Sequence, residues 1–365
     1  MTRTMANTPL ADKDCSADLQ AQVEQAAEKN HKLNIIGHGS KSFLGLINDA
    51  PAISIAEHSG ILSYEPTELV ITARAGTTLT ALKKSLSEYQ QMLAFEPPAF
   101  AENATLGGTI ACALAGPAKP YLGGARDYIL GCRVLNGHGQ ILQFGGEVMK
   151  NVAGYDVSRL MTGAMGTLGV LLDISVKVLP EPQHKLTLVA KTQPGKAIED
   201  MQTLAGMGLP VTASACFDGN MYTRIAGTES AINAASNKLP GDTTDSPDIW
   251  QQLREHELPF FNSHKPLWRI SVPPLTPPLS IDGEWLYDWA GTQRWLFTEA
   301  TADAVRNACS AVNGHATLFR ADEELKRNAG VFQPLSTTLL SLHQRLKQEF
   351  DPACVFNHQR LFPEF

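Results

Sequence analysis

The chain lacks most of the marks that would assign a binding chemistry at sight. Its basic residues never gather beyond pairs such as Lys83-Lys84, and the formal net charge is -7. Nucleic acid is therefore excluded as a partner, because a phosphate backbone needs clustered Lys and Arg. Cys15, Cys112, Cys132, Cys216, Cys309 and Cys354 form no CxxC pair. That spacing offers neither a zinc knuckle nor an iron–sulfur run, and no metal site is expected. No window approaches ~18 uninterrupted apolar residues, so a direct membrane span is not expected. The first residues have no apolar stretch of the kind that marks a secretory leader. Low-complexity tracts and internal repeats are absent too. The expectation is free, mostly buried thiols in a reducing cytoplasm, with any membrane association coming through a partner.

What is present fits a globular chain: 365 residues, 43% hydrophobic and 18% charged, long enough for two cores of ~100–200 residues each. The first half opens with a predicted helix over about Asp18–Lys29, with Ser16 placed to cap it and Leu19, Val23, Ala26 and Ala27 on one face. Strands are predicted at Leu33–Ile36, Ala52–Ile55 and Leu69–Ala73, and Thr78 opens a second helix through about Glu88. Ile129–Leu135 and Ile141–Phe144 flank Asn136-Gly137-His138-Gly139 as a hairpin. From Leu168 to Val178 apolar residues alternate with Gly169, Leu171, Asp173, Ser175 and Lys177, the period of a strand. Pro180-Glu181-Pro182 then interrupts, and strand and helix candidates alternate as in an α+β layer.

Three glycine-rich segments carry the functional signal, all in the first half. Gly37-His38-Gly39-Ser40-Lys41-Ser42 follows a strand directly. It is either an ordinary strand-end turn or a loop whose bare N–H groups converge on an anion. Glycine is missing where GxGxxG would need it at Ser42, and GxxxxGK[ST] does not occur, so neither standard nucleotide motif is supported. Glu96-Pro97-Pro98 and Ala104-Thr105-Leu106-Gly107-Gly108-Thr109-Ile110-Ala111 form the second segment. Its small side chains would let a flat ring approach the main chain, or would serve a tight crossover. The third runs from Lys150-Asn151-Val152-Ala153-Gly154-Tyr155-Asp156 to Gly163-Ala164-Met165-Gly166-Thr167-Leu168-Gly169.

In this order and spacing the three segments resemble the PCMH-type FAD domain of the vanillyl-alcohol oxidase and D-lactate dehydrogenase superfamily. The resemblance implies a two-lobed FAD-binding domain over 1–180, a ferredoxin-like α+β cap over 181–340, and a tail, 341–365, returning to the FAD domain. It implies FAD as cofactor. Gly37, His38, Gly39, Ser40, Lys41 and Ser42 would hold the diphosphate, with Pro97, Thr105, Leu106, Gly107 and Gly108 continuing the cradle. Gly163, Gly166, Thr167, Leu168, Gly169 and Val170 would lie by the adenosine and ribityl parts. Some members attach flavin through a histidine in the first loop; here Ser40 takes that position, so a non-covalent flavin is expected. The blocks Pro266–Pro274, Tyr287–Leu296, Gly314–Arg320 and Phe350–Pro363 resemble the FAD-binding subunits of bacterial glycolate oxidases. That implies a small 2-hydroxy acid substrate, a larger flavin subunit and an iron–sulfur subunit as partners.

Oxidising a 2-hydroxy acid needs a cation for the carboxylate, a base for the hydroxyl proton and a hydride acceptor. Arg269, Arg294 and Arg320 are the candidates for the carboxylate, since a guanidinium fork matches it. His315 is the candidate base. The larger D-lactate dehydrogenase-like relatives carry a histidine-rich C-terminal motif, and here Asp218-Gly219-Asn220 lacks flanking histidines. The expectation is a flavin subunit of a heteromeric glycolate-oxidising enzyme. The alternatives are a self-contained flavin oxidase of another alcohol or hydroxy acid, or a non-catalytic flavin-bearing subunit.

Overall fold

The computed structural model describes residues 12–46, 48–146, 156–244 and 248–365; the predicted turn at Lys150–Tyr155 lies outside them. The Ser16–Glu28 helix, the Leu79–Ser87 helix capped by the Thr78 hydroxyl, and the hairpin of Ile129–Leu135 with Ile141–Gly145 stand where the sequence places them. Ser16 is not the cap. Cys15 occupies that position, and the Ser16 N–H donates instead to the Asp14 carboxylate at 2.8 Å.

Five antiparallel strands make the first sheet, in the order Ile61–Glu65, Val70–Arg74, Val170–Lys177, Ile129–Leu135, Ile141–Gly145. The period of two in Val170–Lys177 is real, but both faces are covered, because the strand is central. On the second face Asp173 is buried, opposite Arg74 and Arg133 on its two neighbours. Both arginines donate to it, and the His58 ring nitrogen lies 3.3 Å away. Arg74 also pairs with Asp12 and Asp14, which ties the chain's first described residues to the sheet.

The second sheet has eight antiparallel strands, in the order Asp242–Thr243, His184–Lys191, Asn220–Gly227, Val211–Phe217, Glu284–Asp288, Gln293–Phe297, Leu267–Ser271, His315–Arg320. Alternation sorts its side chains. Trp268, Ile270, Leu296 and Leu318 pack with Val305 and Cys309 of the Ala302–Ser310 helix. Leu267, Leu286, Trp295, Phe297 and Phe319 point the other way and share a core with Leu44, Leu114 and Met165 of the first half. The inner face of the second sheet therefore closes over the glycine-rich segments, which fixes where a site can form.

The last helix, Thr337–Phe350, is pinned by one buried ion pair, Lys347 to Asp351 at 2.7 Å. Lys347 also donates to the carbonyls of Thr167 and Phe356, and Asp351 accepts from the N–H groups of Val355 and Phe356. Cys132, Cys216 and Cys309 are buried, Cys15, Cys112 and Cys354 half-buried, and all six are free thiols.

Asp173→Ala is expected to lower stability by ~1–3 kcal/mol, because it takes the acceptor from Arg133 and leaves Arg74 only Asp12 and Asp14; a denaturant midpoint with unchanged slope measures this. Burial opposes the charge on Asp173, yet hydrogen bonds from His58 and Arg133 hold its carboxyl below the ordinary range. A hydrogen bond from Ser16 holds Asp14 at about 2. Both groups thus stabilise the fold above the unfolded carboxylate pKa, ~3.9. That contribution is lost as pH falls below it, and a midpoint that holds constant from pH 6 to pH 3 would contradict the assignment.

Candidate active site

A cleft encloses about 990 Å³ with its open mouth included. All three glycine segments meet on its walls: Gly37–Ser42, then Thr105, Gly107 and Gly108, then Gly166 and Gly169. Among the described residues no Asp or Glu lines it, whereas Lys41 and Arg360 do.

The three segments differ in what they offer. In the first, the backbone N–H groups of Gly37, His38, Gly39, Ser40 and Lys41 have no acceptor among the described residues. Gly39 sits at φ +76, where only glycine is unstrained, and this left-handed step turns successive amides toward one side. The second segment spends its amides internally: Leu106 donates to Thr77, Gly107 to Ala75, and Gly108 to the Thr105 hydroxyl. It offers closeness instead of donors. A Cβ on Gly37 would come within 2.5 Å of the Thr105 hydroxyl, so the first two segments touch. In the third, Gly166 meets the tail, and a Cβ there would lie 2.6 Å from the Asn357 amide nitrogen.

Asn357 locks the first and third segments together. Its carbonyl oxygen accepts from the Ile35 N–H at 2.7 Å and its amide donates to the Met165 carbonyl at 2.6 Å. The Lys347–Asp351 pair sets the chain that carries it. Lys41 is the electrostatic centre of the cleft. It is 6% exposed, has no acid partner, and donates only to the Ala99 carbonyl at 3.3 Å and the Ser40 hydroxyl at 3.4 Å. Burial pushes its ammonium below the usual lysine range. A buried cation without a counter-charge is costly, and an anion in the cleft removes that cost.

Several expected positions do not line the cleft. Pro97 is buried and lies off the cleft; its neighbour Pro98 lines a second cavity instead. Leu106, Leu168 and Val170 belong to the hydrophobic core, Thr167 caps its own turn by donating to Ala164, and Gly163 packs against Ala113. Met161, Ala164, Met165 and Leu171 are the lining residues that the third segment and its flanking helix and strand actually supply beside Gly166 and Gly169. Asn357 and Arg360 were missed, since nothing in their spacing links them to a loop some 320 residues earlier.

A second, smaller cavity encloses about 320 Å³ with its open mouth included. Ala111 and Cys112 line the cleft, and Leu114 to Pro117 line the cavity, so consecutive residues join the two. Arg269 reaches it from the inner face of the second sheet and has no acid partner among the described residues. Burial pushes its guanidinium down to about 10. Arg320 lies on the same side: a β-bulge at Phe319 shifts the register and turns it over the rings of Phe43 and Phe100, 5.1 and 5.6 Å from their centroids.

Arg294 and His315 do not join them. Arg294 alternates with Trp295, so it points to the helix-covered face. Fully buried, it donates to the carbonyls of Gly291, Pro277 and Thr276, which hold the proline-rich loop. His315 is exposed at the start of its strand, opposite Ser271, and lines neither cavity. Partial burial and the charges of Arg269 and Lys119 push its imidazole below the usual range.

Comparison with known proteins agrees with this geometry. Residues 14–145 match the model of the FAD binding domain family. The chain is 44% identical over 355 residues to the glycolate oxidase subunit GlcE of Escherichia coli K12, covering 97% of this chain and 99% of the relative. It is 34% identical over 131 residues to the glycolate oxidase subunit GlcD of Bacillus subtilis, covering 36% and 27%. It is 28% identical over 180 residues to a D-lactate dehydrogenase of Anaerostipes hadrus, covering 48% and 37%. Among solved structures, an alkyldihydroxyacetonephosphate synthase superposes with a TM-score of 0.62 at 13% identity, over 93% of this chain and 74% of that one, a likeness of fold alone. The chain therefore carries an FAD binding domain of α+β content and belongs to the family of the glycolate oxidase subunit GlcE.

Proposed function

We propose that this chain is the FAD-bearing subunit of a heteromeric glycolate oxidase, which oxidises glycolate and related 2-hydroxy acids to the 2-oxo product and passes electrons to an iron–sulfur subunit. The observation that carries this reading is the acid-free cleft, with bare amides and one uncompensated lysine, opening into a cavity that holds an unpaired arginine. The amides of Gly37 to Lys41 and the Lys41 ammonium would hold the diphosphate, Gly107 and Gly108 would give the flavin room, and Asn357 would keep the loops in register. FAD, when bound, supplies the two-electron acceptor. Arg269 would bind the substrate carboxylate, and Arg320 would add positive potential. Neither of the other two sequence candidates is retained for a catalytic role. Ser40 offers no ring nitrogen for attachment, so the flavin is held non-covalently and acid precipitation should leave a colourless pellet.

The organisation proposed is a FAD domain over 1–180, a ferredoxin-like cap over 181–340 and a tail over 341–365. The second sheet after Pro182 and the hydrogen bonds of Lys347 and Asn357 support it. The scattered cysteines supply no cluster ligands, and among the described residues no group of three or more His, Cys, Asp or Glu could hold a metal. An iron–sulfur centre is therefore assigned to a partner, alongside a larger flavin subunit. Among the described residues no helix is long and apolar enough to cross a membrane, so membrane association would come through the complex.

Two substitutions separate cofactor binding from folding. Lys41→Met should leave the apo-protein as stable or more stable, since it removes an uncompensated buried charge. It should weaken FAD binding by about tenfold or more, the worth of one charged hydrogen bond. Gly108→Val adds a side chain whose first carbon meets only the Thr105 hydroxyl, at 3.1 Å. It should fold normally and lose most of its FAD; full occupancy in that variant would refute the cradle. At the level of the complex, glycolate turnover should require co-expressed partner chains. Full turnover by the isolated chain with an artificial acceptor would instead establish a self-contained oxidase.

A further inference from the structure

We infer that Asp288 is the proton acceptor of this site, and that it and Arg269 form a two-point seat for a 2-hydroxy acid on the inner face of the second sheet. The inference rests on the oxidoreductase reading above and assigns the base which that reading lacks.

Strand register places the two groups. Asp288 pairs with Gln293, and Gln293 pairs with Ser271 on the next strand; Arg269, two residues from Ser271, lies on the same face. Two strand spacings separate them, ~10 Å, with a further ~7 Å along the strand. The diagonal between their main-chain positions is therefore ~12 Å, and the two side chains converge on it from opposite ends. Both residues line the second cavity, and no bond joins them.

The setting of Asp288 is built rather than incidental. Its carboxylate is 3% exposed and accepts from the Trp289 N–H at 2.7 Å and the Gln293 amide at 3.2 Å. The chain then passes through three successive left-handed residues, Trp289 (φ 51), Ala290 (φ 54) and Gly291 (φ 83). Two of these are not glycine, a conformation that costs ~1–3 kcal/mol per residue and persists where the surroundings enforce it. Here the Trp289 indole donates to the Gly116 carbonyl at 2.9 Å, and Lys119 lies 3.9 Å over its ring. The strained turn thus fastens Asp288 to the loop, Leu114 to Pro117, that continues from the FAD cleft.

The charged surroundings of Asp288 are mixed. Glu96 raises and Arg224 lowers its affinity for a proton, and these two form a pair at 2.8 Å. Tyr121 and Lys119 approach from the first half, while Arg254 and His256 line the cavity. Arg254 is spent on Glu255, and burial with the charges of Arg320 and Arg269 keeps His256 neutral. Burial dominates, and it pushes the Asp288 carboxyl up to about 7. In the reaction the substrate O–H bond breaks and its proton passes to the Asp288 carboxylate. FAD, when bound, would supply the acceptor for the hydride that leaves the α-carbon as the carbonyl forms, and the Asp288 proton would then return to solvent.

The test uses the FAD-loaded chain and two monoanions, glycolate and acetate, which lacks the hydroxyl. Dissociation constants are read from the flavin spectrum or tryptophan fluorescence between pH 5.5 and 8.5. Acetate should bind about tenfold more weakly at the upper end, because an ionised Asp288 repels it. Glycolate should weaken much less, because its hydroxyl donates to that carboxylate. Asp288→Asn should abolish the acetate pH dependence, and Arg269→Met should weaken both anions about tenfold or more at every pH. Should Asp288→Asn fail to fold, the parent protein still decides. Its infrared difference spectrum should show a protonated carboxyl at pH 6 that is lost by pH 8.5 and perturbed by acetate. Flat acetate binding in the parent, or a pH dependence that survives in Asp288→Asn, would overturn the inference. A chain that binds neither FAD nor anion would instead overturn the oxidoreductase reading itself.

Discussion

An uncompensated positive charge in a closed space governs this structure. Lys41 is buried beside five consecutive amides that have no acceptor among the described residues, in a cleft that no described carboxylate lines. Protein interiors avoid such an arrangement unless a ligand completes it. The rest of the molecule can be understood as what holds this charge in place. The first sheet carries the glycine segments, Asn357 ties two of them together, and the Lys347–Asp351 pair carries Asn357. The second sheet packs its aromatic inner face against Leu44, Leu114 and Met165 and leaves Arg269 facing the second cavity.

The two parts of the site are chemically distinct. The cleft offers backbone donors and a fixed cation, which suits phosphate. The cavity offers one unpaired guanidinium, one buried carboxyl and a wall of rings, which suits a small organic acid whose charge and hydroxyl must be held apart. The Ala111–Pro117 stretch joins them.

Much of the fold was legible because local chemistry and tertiary context agree. Thr78 caps its helix, Asn136 to Gly139 turn the hairpin, and the alternation from Leu168 to Val178 is a central strand. The first glycine loop was legible as a turn for the same reason, since Gly39 needs a left-handed backbone. Where reading failed, the cause lay in long-range pairing. Arg294 looks like a substrate arginine until the register shows it beside Trp295 on the opposite face. Arg320 should have pointed away, and only a bulge turns it inward. Asp288 was visible as a residue, but its burial depends on Gly116 and Trp289 meeting across 173 positions. Asn357 gave no local signal at all.

The central claim is that the diphosphate, rather than the ring, anchors the cofactor. Titrating the apo-chain with FAD and with riboflavin, which has the same ring and no phosphate, tests it most directly. Two or more charged hydrogen bonds from the Gly37–Lys41 loop, ~1.5–3 kcal/mol each, predict FAD binding at least about a hundredfold tighter. Equal affinity for the two would contradict the account.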